Sequence, residues 1–176
     1  MLLFILWLIF IILILVILGT FAYGGILAAP WVPLWQKDVR RMLNLAEVKP
    51  DEMVYDLGAG DARIITIAAK EFGAKAIGFE IALLPYLFGR IRIWVKGLKN
   101  KVSLKYLNFF KQNLSEADVI CVFLTPQAMT KLKPKLEKEI KPGCRVVSYA
   151  FSLPNWPPKK IDKPNPQTTT IYLYQK

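Results

Sequence analysis

Histidine is missing from this chain of 176 residues, and cysteine occurs only twice. The first absence excludes imidazole acid–base catalysis and histidine metal ligands. Cys121 and Cys144 lie in separate apolar runs, without metal-site spacing and without a second pair, so they read as reduced core residues of a cytosolic domain, and no metal is expected. Charge is absent from the whole N-terminal stretch, none preceding Lys37. Acid is scarce beyond it, with 13 Asp and Glu against 24 Lys and Arg, so residues 37–176 carry the entire formal net charge of +11. No basic motif interleaved with aromatics accompanies that charge, which argues against nucleic acid as its partner and for the anionic surface of a lipid bilayer.

What stands at the N-terminus instead is apolar surface. Leu2 to Leu18 holds no polar residue and is long enough to cross a bilayer core of about 30 Å. Apolar residues contributing roughly −0.3 to −0.6 kcal/mol each put the upper bound for insertion near 5–10 kcal/mol. A cleaved leader would open on a basic segment and have a shorter apolar core; here neither holds, and Leu27-Ala28-Ala29 lies far from the start. Residues 1–24 are expected to form one transmembrane helix. Residues 25–36 are then a linker where Pro30 and Pro33 end the span, with Tyr23, Trp31 and Trp35 near the interface. Lys37, Arg40 and Arg41 follow, and the positive-inside bias places residues 37–176 on the cytoplasmic side of a cell (inner) membrane.

Beyond Lys37, strand-like and helix-like segments alternate. Val39–Ala46 reads as a short amphipathic helix closed by the turn Lys49-Pro50-Asp51-Glu52. Met53–Leu57, Lys75–Glu80, Val102–Asn108, Val119–Leu124, Arg145–Phe151 and Thr169–Tyr174 read as strands. Arg63–Phe72, Leu84–Trp94 and a segment opened by Thr125-Pro126 read as helices, and Pro134 should kink or restart the last. The alternation predicts an α/β domain with a doubly wound, mostly parallel sheet, whose ligands bind at the carboxyl ends of the strands.

The chemistry concentrates in Val54-Tyr55-Asp56-Leu57-Gly58-Ala59-Gly60-Asp61-Ala62-Arg63, a strand that runs into a glycine turn and then a helix. Gly58 and Gly60 permit a sharp turn and close approach of backbone to a ligand. Glu80 follows Gly60 by 20 residues at the end of the next strand, where a carboxylate can accept both ribose hydroxyls. Asp56 and Asp61 flank the glycines and would repel a pyrophosphate at the helix N-terminus; a cationic cofactor suits them. A NAD-dependent enzyme is further disfavoured by Arg63, which stands where the third glycine of that fingerprint belongs.

These residues resemble the first motif of class I S-adenosylmethionine-dependent methyltransferases, an acid-x-Gly-x-Gly-x-Gly loop in which Ala62 here replaces the third glycine. The resemblance covers Val39 to Tyr174 and implies a Rossmann-like fold with S-adenosyl-L-methionine as cofactor. It places Asp56, Gly58 and Gly60 around the methionine part, with Ala59 and Asp61 of the same loop also binding the cofactor, Glu80 at the ribose, Asn108 at the adenine and Phe109 beside the adenine ring. The apolar N-terminus, Pro30-Trp31-Val32-Pro33, Gly78-Phe79-Glu80, Leu124-Thr125-Pro126-Gln127 and Phe151-Ser152-Leu153-Pro154-Asn155-Trp156 are together similar to the small membrane-anchored protein-lysine methyltransferases. That family includes the mitochondrial enzymes acting on ATP synthase and on the adenine nucleotide translocase.

The resemblance implies methylation of a lysine on a membrane or membrane-proximal protein. Thr125, Pro126 and Gln127 would then orient the amine, and Tyr149, Phe151 and Trp156 would wall a channel facing its cation. For Thr125 and Gln127 the residues alone allow helix capping equally, and for the aromatics simple packing. Two other functions also stay open: a methyltransferase acting on a lipid or isoprenoid quinone, and a non-catalytic cofactor-binding scaffold at the membrane. The basic helix Leu84–Trp94 could pack on the sheet by one face and rest on lipid by the other.

Overall fold

The computed structural model describes residues 1–176. Its first element, α1 (Leu2–Leu27), is an apolar helix of 26 residues, about 39 Å long at 1.5 Å per residue. An 18-residue window of mean hydropathy 3.5 within it is entirely unburied by the protein. The helix extends three residues beyond the expected limit of 24 and ends before Pro30, whose ring cannot continue it.

The rest alternates: α2 (Gln36–Leu45), β1 (Met53–Leu57), α3 (Arg63–Glu71), β2 (Lys75–Glu80), α4 (Leu83–Val95), β3 (Val102–Tyr106), β4 (Val119–Val122), α5 (Pro126–Glu139), β5 (Arg145–Tyr149), β6 (Lys160–Asp162) and β7 (Ile171–Gln175). One sheet holds all seven strands in the order β3-β2-β1-β4-β5-β7-β6. β1 to β5 pair in parallel, and β7 runs antiparallel to both β5 and β6. The expected doubly wound, mostly parallel sheet is therefore present.

Period-2 alternation divides the core between the two faces of this sheet. Val54, Val119, Cys121 and Val147 point to the face carrying α2 and α3. Tyr55, Leu57, Ile120, Val122 and Val146 point to the face carrying α5, through Met129, Leu132 and Leu136. Both cysteines are buried. Burial pushes the Cys144 thiol up to about 12 and that of Cys121 well above its ordinary value, and the thiolate is the reactive form. Ellman's reagent should therefore leave the native protein untouched and titrate both thiols after denaturation. A thiol that reacts in the native state would contradict this packing.

Two sequence expectations need correction. Pro134 does not divide its helix, because α5 runs through it from Pro126 to Glu139. Pro134 lies on the exposed face, where water can satisfy the carbonyl that lost its donor. The six strands read from the sequence leave out β6, which lies in the proline-rich stretch after β5 and whose short span Lys160-Ile161-Asp162 carries too little apolar pattern to be recognised. It is held partly by Arg41, whose guanidinium bridges Asp38 and Asp162 at 2.9 and 2.6 Å.

Candidate functional site

The strand order reverses between β2-β1 and β4-β5, so the carboxyl ends of β1 and β4 open a crevice. The loop Gly58–Ala62 fills its floor. Gly58 and Gly60 adopt φ of +90° and +52°, a region that L side chains avoid, and Ala62 caps α3 at φ +63°. Alanine is accepted there as the smallest chiral residue, and its methyl is fully buried.

The loop amides face inward. Gly58 and Ala59 both donate to the Phe79 carbonyl, at 3.0 and 2.9 Å. Gly60 N–H donates to Glu80 Oε2 at 2.7 Å, while Glu80 Oε1 accepts from Ile81 and Ala82 N–H at 2.8 and 2.7 Å. Glu80 thus pins the glycine loop to the end of β2, and Oε2 retains one acceptor position. Amides engaged this way cannot cradle a pyrophosphate, which removes the main requirement of a dinucleotide loop.

The electrostatics separate the two flanking aspartates. Asp61 Oδ2 accepts from Arg63 Nη2 at 3.0 Å and from Arg92 Nη2 at 2.6 Å, so its charge is already compensated. Asp56 is only 2% exposed, lines the crevice and has no basic partner. Burial, reinforced by Glu80 and Asp61, raises its carboxyl well above the usual carboxylate range. A buried carboxylate without a counter-ion, aimed into a pocket, matches a cationic ligand and opposes an anionic one. The charge argument from sequence therefore rests on Asp56, with Asp61 turned toward two guanidiniums.

The pocket around this loop has a wall that the sequence did not disclose. Phe21, Gly24, Ala28, Trp31 and Leu34, from the end of α1 and the strap behind it, face Asp56, Gly58, Gly60, Glu80 and Asn108 across the crevice. The strap is tied at both ends. Ala28 O accepts from Thr125 N–H at 3.1 Å and from its hydroxyl at 2.7 Å, and Leu34 O accepts from Arg63 Nη1 at 2.6 Å. Trp31 lies so close over Gly60 that a Cβ built there would be 2.7 Å from the indole. The proline pair signals an extended segment, but no local pattern tells where such a segment packs.

The remaining expected residues are placed unevenly. Asn108 and Phe109 line the pocket. Asn108 Oδ1 accepts from Phe110 N–H at 2.9 Å, leaving its second lone pair and its amide N–H2 free, and Phe109 stacks on Phe110 with centroids 4.4 Å apart. Thr125, Pro126, Gln127 and Trp156 are not among the lining residues. The Thr125 hydroxyl caps α5 and holds the strap, so both its donor and an acceptor position are engaged. Pro126 opens α5, and Gln127 is exposed. Trp156 packs against Tyr174 at 5.9 Å. Tyr149 turns its hydroxyl to Asp38 at 3.2 Å, and Phe151 is exposed. The aromatic lining comes instead from Phe21, Trp31, Phe79, Phe109 and Phe123.

Comparison with known proteins accounts for this arrangement. The ANTKMT methyltransferase domain matches residues 56–160. The protein-lysine N-methyltransferase of Saccharolobus islandicus (strain REY15A) is 45% identical over 148 residues, covering 82% of this chain and 92% of that one. The adenine nucleotide translocase lysine N-methyltransferase of Mus musculus is 37% identical over 138 residues, and the match spans 77% of this chain but 58% of the mouse enzyme. Among solved structures, an RNA methyltransferase from Salinibacter ruber in complex with S-adenosyl-L-homocysteine superposes with a TM-score of 0.78 at 33% identity, covering 82% of this chain and 93% of that one. S-adenosylmethionine is a cation with a ribose and an adenine, and the unpaired Asp56, the free acceptor position of Glu80 and the amide of Asn108 fit those parts. The chain belongs to the ANTKMT methyltransferase family, and it is an S-adenosylmethionine-dependent methyltransferase of Rossmann-like fold.

Proposed function

We propose that the protein is a membrane-anchored protein-lysine N-methyltransferase, with α1 spanning the bilayer and the domain from Gln36 onward facing the cytoplasm. One observation carries the membrane part: α1 holds an 18-residue apolar window with no residue buried by the protein, yet its end and the strap it leads into form a wall of the cofactor pocket. An anchor joined so closely to the site holds that site beside the membrane, where the substrate would present its lysine. The names of the relatives support lysine as the acceptor.

The cofactor supplies a methyl group on a sulfonium, already activated for transfer. The protein has then to bind, align and exclude water. In this reading Asp56, Gly58, Ala59 and Gly60 hold the methionine end, Glu80 accepts from the ribose, and Asn108 and Phe109 hold the adenine. Asp61 serves the site through Arg63 and Arg92. A lysine ammonium must lose its proton first, at roughly 4–5 kcal/mol at pH 7, and entry into an apolar channel lowers that cost. Thr125 can offer its hydroxyl to the amine only if the strap moves, because Ala28 O now holds it.

Arg63→Ala tests the strap. It removes the charge-assisted hydrogen bond to Leu34 O, worth about 1.5–3 kcal/mol, while Arg92 still compensates Asp61. Calorimetric affinity for S-adenosylhomocysteine should fall about tenfold. An unchanged affinity would mean that the strap is not part of the binding site. The function itself is tested by incubating the full chain with radiolabelled S-adenosylmethionine and cell membranes, then separating protein from lipid. Label in protein is the expected result; label confined to lipid would overturn the lysine reading.

A further inference from the structure

We propose that α4 is a second membrane contact, lying along the lipid headgroup region beside α1 so that the mouth of the cofactor pocket is held at the bilayer surface. This rests on the reading of α1 as a membrane span. α4 has two apolar faces. Pro85, Gly89 and Ile93 are buried toward the sheet, as a core helix requires. Leu87, Phe88, Ile91, Trp94 and Val95 recur at helical spacing on the other side, and Ile91, Trp94 and Val95 are 56, 64 and 70% exposed. Trp31 meets the stripe at Phe88, and no intramolecular partner covers Ile91, Trp94 or Val95.

Lipid is favoured as its occupant by two independent observations. The first is continuity with α1. Leu83 N–H donates to Thr20 Oγ1 at 3.2 Å, and Trp31 joins Phe21 to Phe88 with ring centroids 6.4 and 6.3 Å apart. The apolar stripe therefore begins at the carboxyl-terminal end of α1, where the membrane surface lies if α1 spans it. The second is charge. Between Glu80 and Glu116 there is no acidic residue, whereas Arg90, Arg92, Lys96, Lys99, Lys101, Lys105 and Lys111 fall in that interval. Asp61 lies at the edge of the stripe but is already paired with Arg63 and Arg92, so an apolar stripe with a tryptophan, bordered by bases, has the chemistry of an interfacial helix on anionic lipid. A protein partner of mixed charge would not require such segregation.

The test uses the full chain in vesicles of phosphatidylcholine and phosphatidylglycerol. Spin labels are placed one at a time through Ile91→Cys, Val95→Cys, Ile9→Cys in α1 and Glu137→Cys on α5. The native thiols are buried and will not compete. Retained binding of S-adenosylhomocysteine certifies the fold of each variant. The proposal expects the ratio of oxygen to nickel-chelate collisions at positions 91 and 95 to exceed that at position 137 several-fold. Water-like ratios at 91 and 95 with a lipid-like ratio at 9 would overturn it and leave the anchor intact. Shielding of 91 and 95 from both reagents would also overturn it, because protein would then cover the stripe. A water-like ratio at 9 would overturn the anchor and this proposal together.

Discussion

Glu80→Ala is expected to cost the enzyme both its cofactor and much of its stability. The carboxylate accepts three backbone N–H groups, from Gly60, Ile81 and Ala82, and two of these bonds are buried. Leaving buried donors unsatisfied costs about 1–3 kcal/mol each, so unfolding free energy should fall by about 2–6 kcal/mol. In a protein of this size that lowers the melting temperature by about 4–24 °C. Affinity for S-adenosylhomocysteine should fall by about 100-fold or more, because the variant loses an acceptor for the ribose and also the tie that shapes the glycine loop. Calorimetry and thermal unfolding measure the two effects separately. A weaker binder with an unchanged melting temperature would show that Glu80 binds ligand without organising the loop, and unchanged binding would remove it from the ribose site.

Asp56→Asn should move affinity and stability in opposite directions. Asp56 is buried near Glu80 and Asp61 without a counter-ion, which holds its pKa well above the usual carboxylate range. Such a group opposes folding as pH rises from its unfolded value toward its folded one, since the unfolded chain ionises first. Asparagine avoids this, so the variant should be more stable than the parent at neutral pH, with the gain vanishing below the unfolded pKa. Binding changes the other way. A cation about 5 Å from a carboxylate at an effective dielectric of about 20 gains about 3 kcal/mol, so affinity for S-adenosylmethionine should fall about 100- to 200-fold.

The product keeps an ammonium group but loses the sulfonium, so its affinity should fall less. The same linkage predicts that the parent enzyme releases protons on binding S-adenosylmethionine and binds it more tightly as pH rises toward the folded pKa of Asp56. Titrations in buffers of different ionisation enthalpy detect this release. A variant with unchanged affinity, or a parent enzyme that releases no proton, would contradict the charge role of Asp56.

The parts of this molecule that were legible in its sequence are those set by local periodicity. β1, the glycine turn, α3 and β2 follow from alternation and from the 20-residue interval between Gly60 and Glu80. The parts that were not legible depend on partners distant in sequence. Asp61 reads as a free acid until Arg92, 31 residues away on α4, is brought against it. The Thr125 hydroxyl reads as available until Ala28, 97 residues earlier, takes it. Tyr149, Phe151 and Trp156 look like a channel when read as neighbours in sequence. Folding turns Tyr149 toward Asp38 and Trp156 toward Tyr174, and Phe21, Trp31 and Phe123 stand in the wall instead. Pro134 looks like a break because sequence alone does not reveal that it sits on the wet face of α5.

The measurement that bears most directly on the proposed function is amino-acid analysis of the protein labelled by this enzyme. Membranes are incubated with the full chain and methyl-labelled S-adenosylmethionine, the integral membrane proteins are isolated, and their acid hydrolysate is resolved. The proposed function predicts label eluting with N-methylated lysines, and its loss when Glu80→Ala replaces the parent enzyme. Label eluting with methylated arginine or another residue, or methyllysine found only in soluble proteins, would contradict a membrane-anchored lysine methyltransferase.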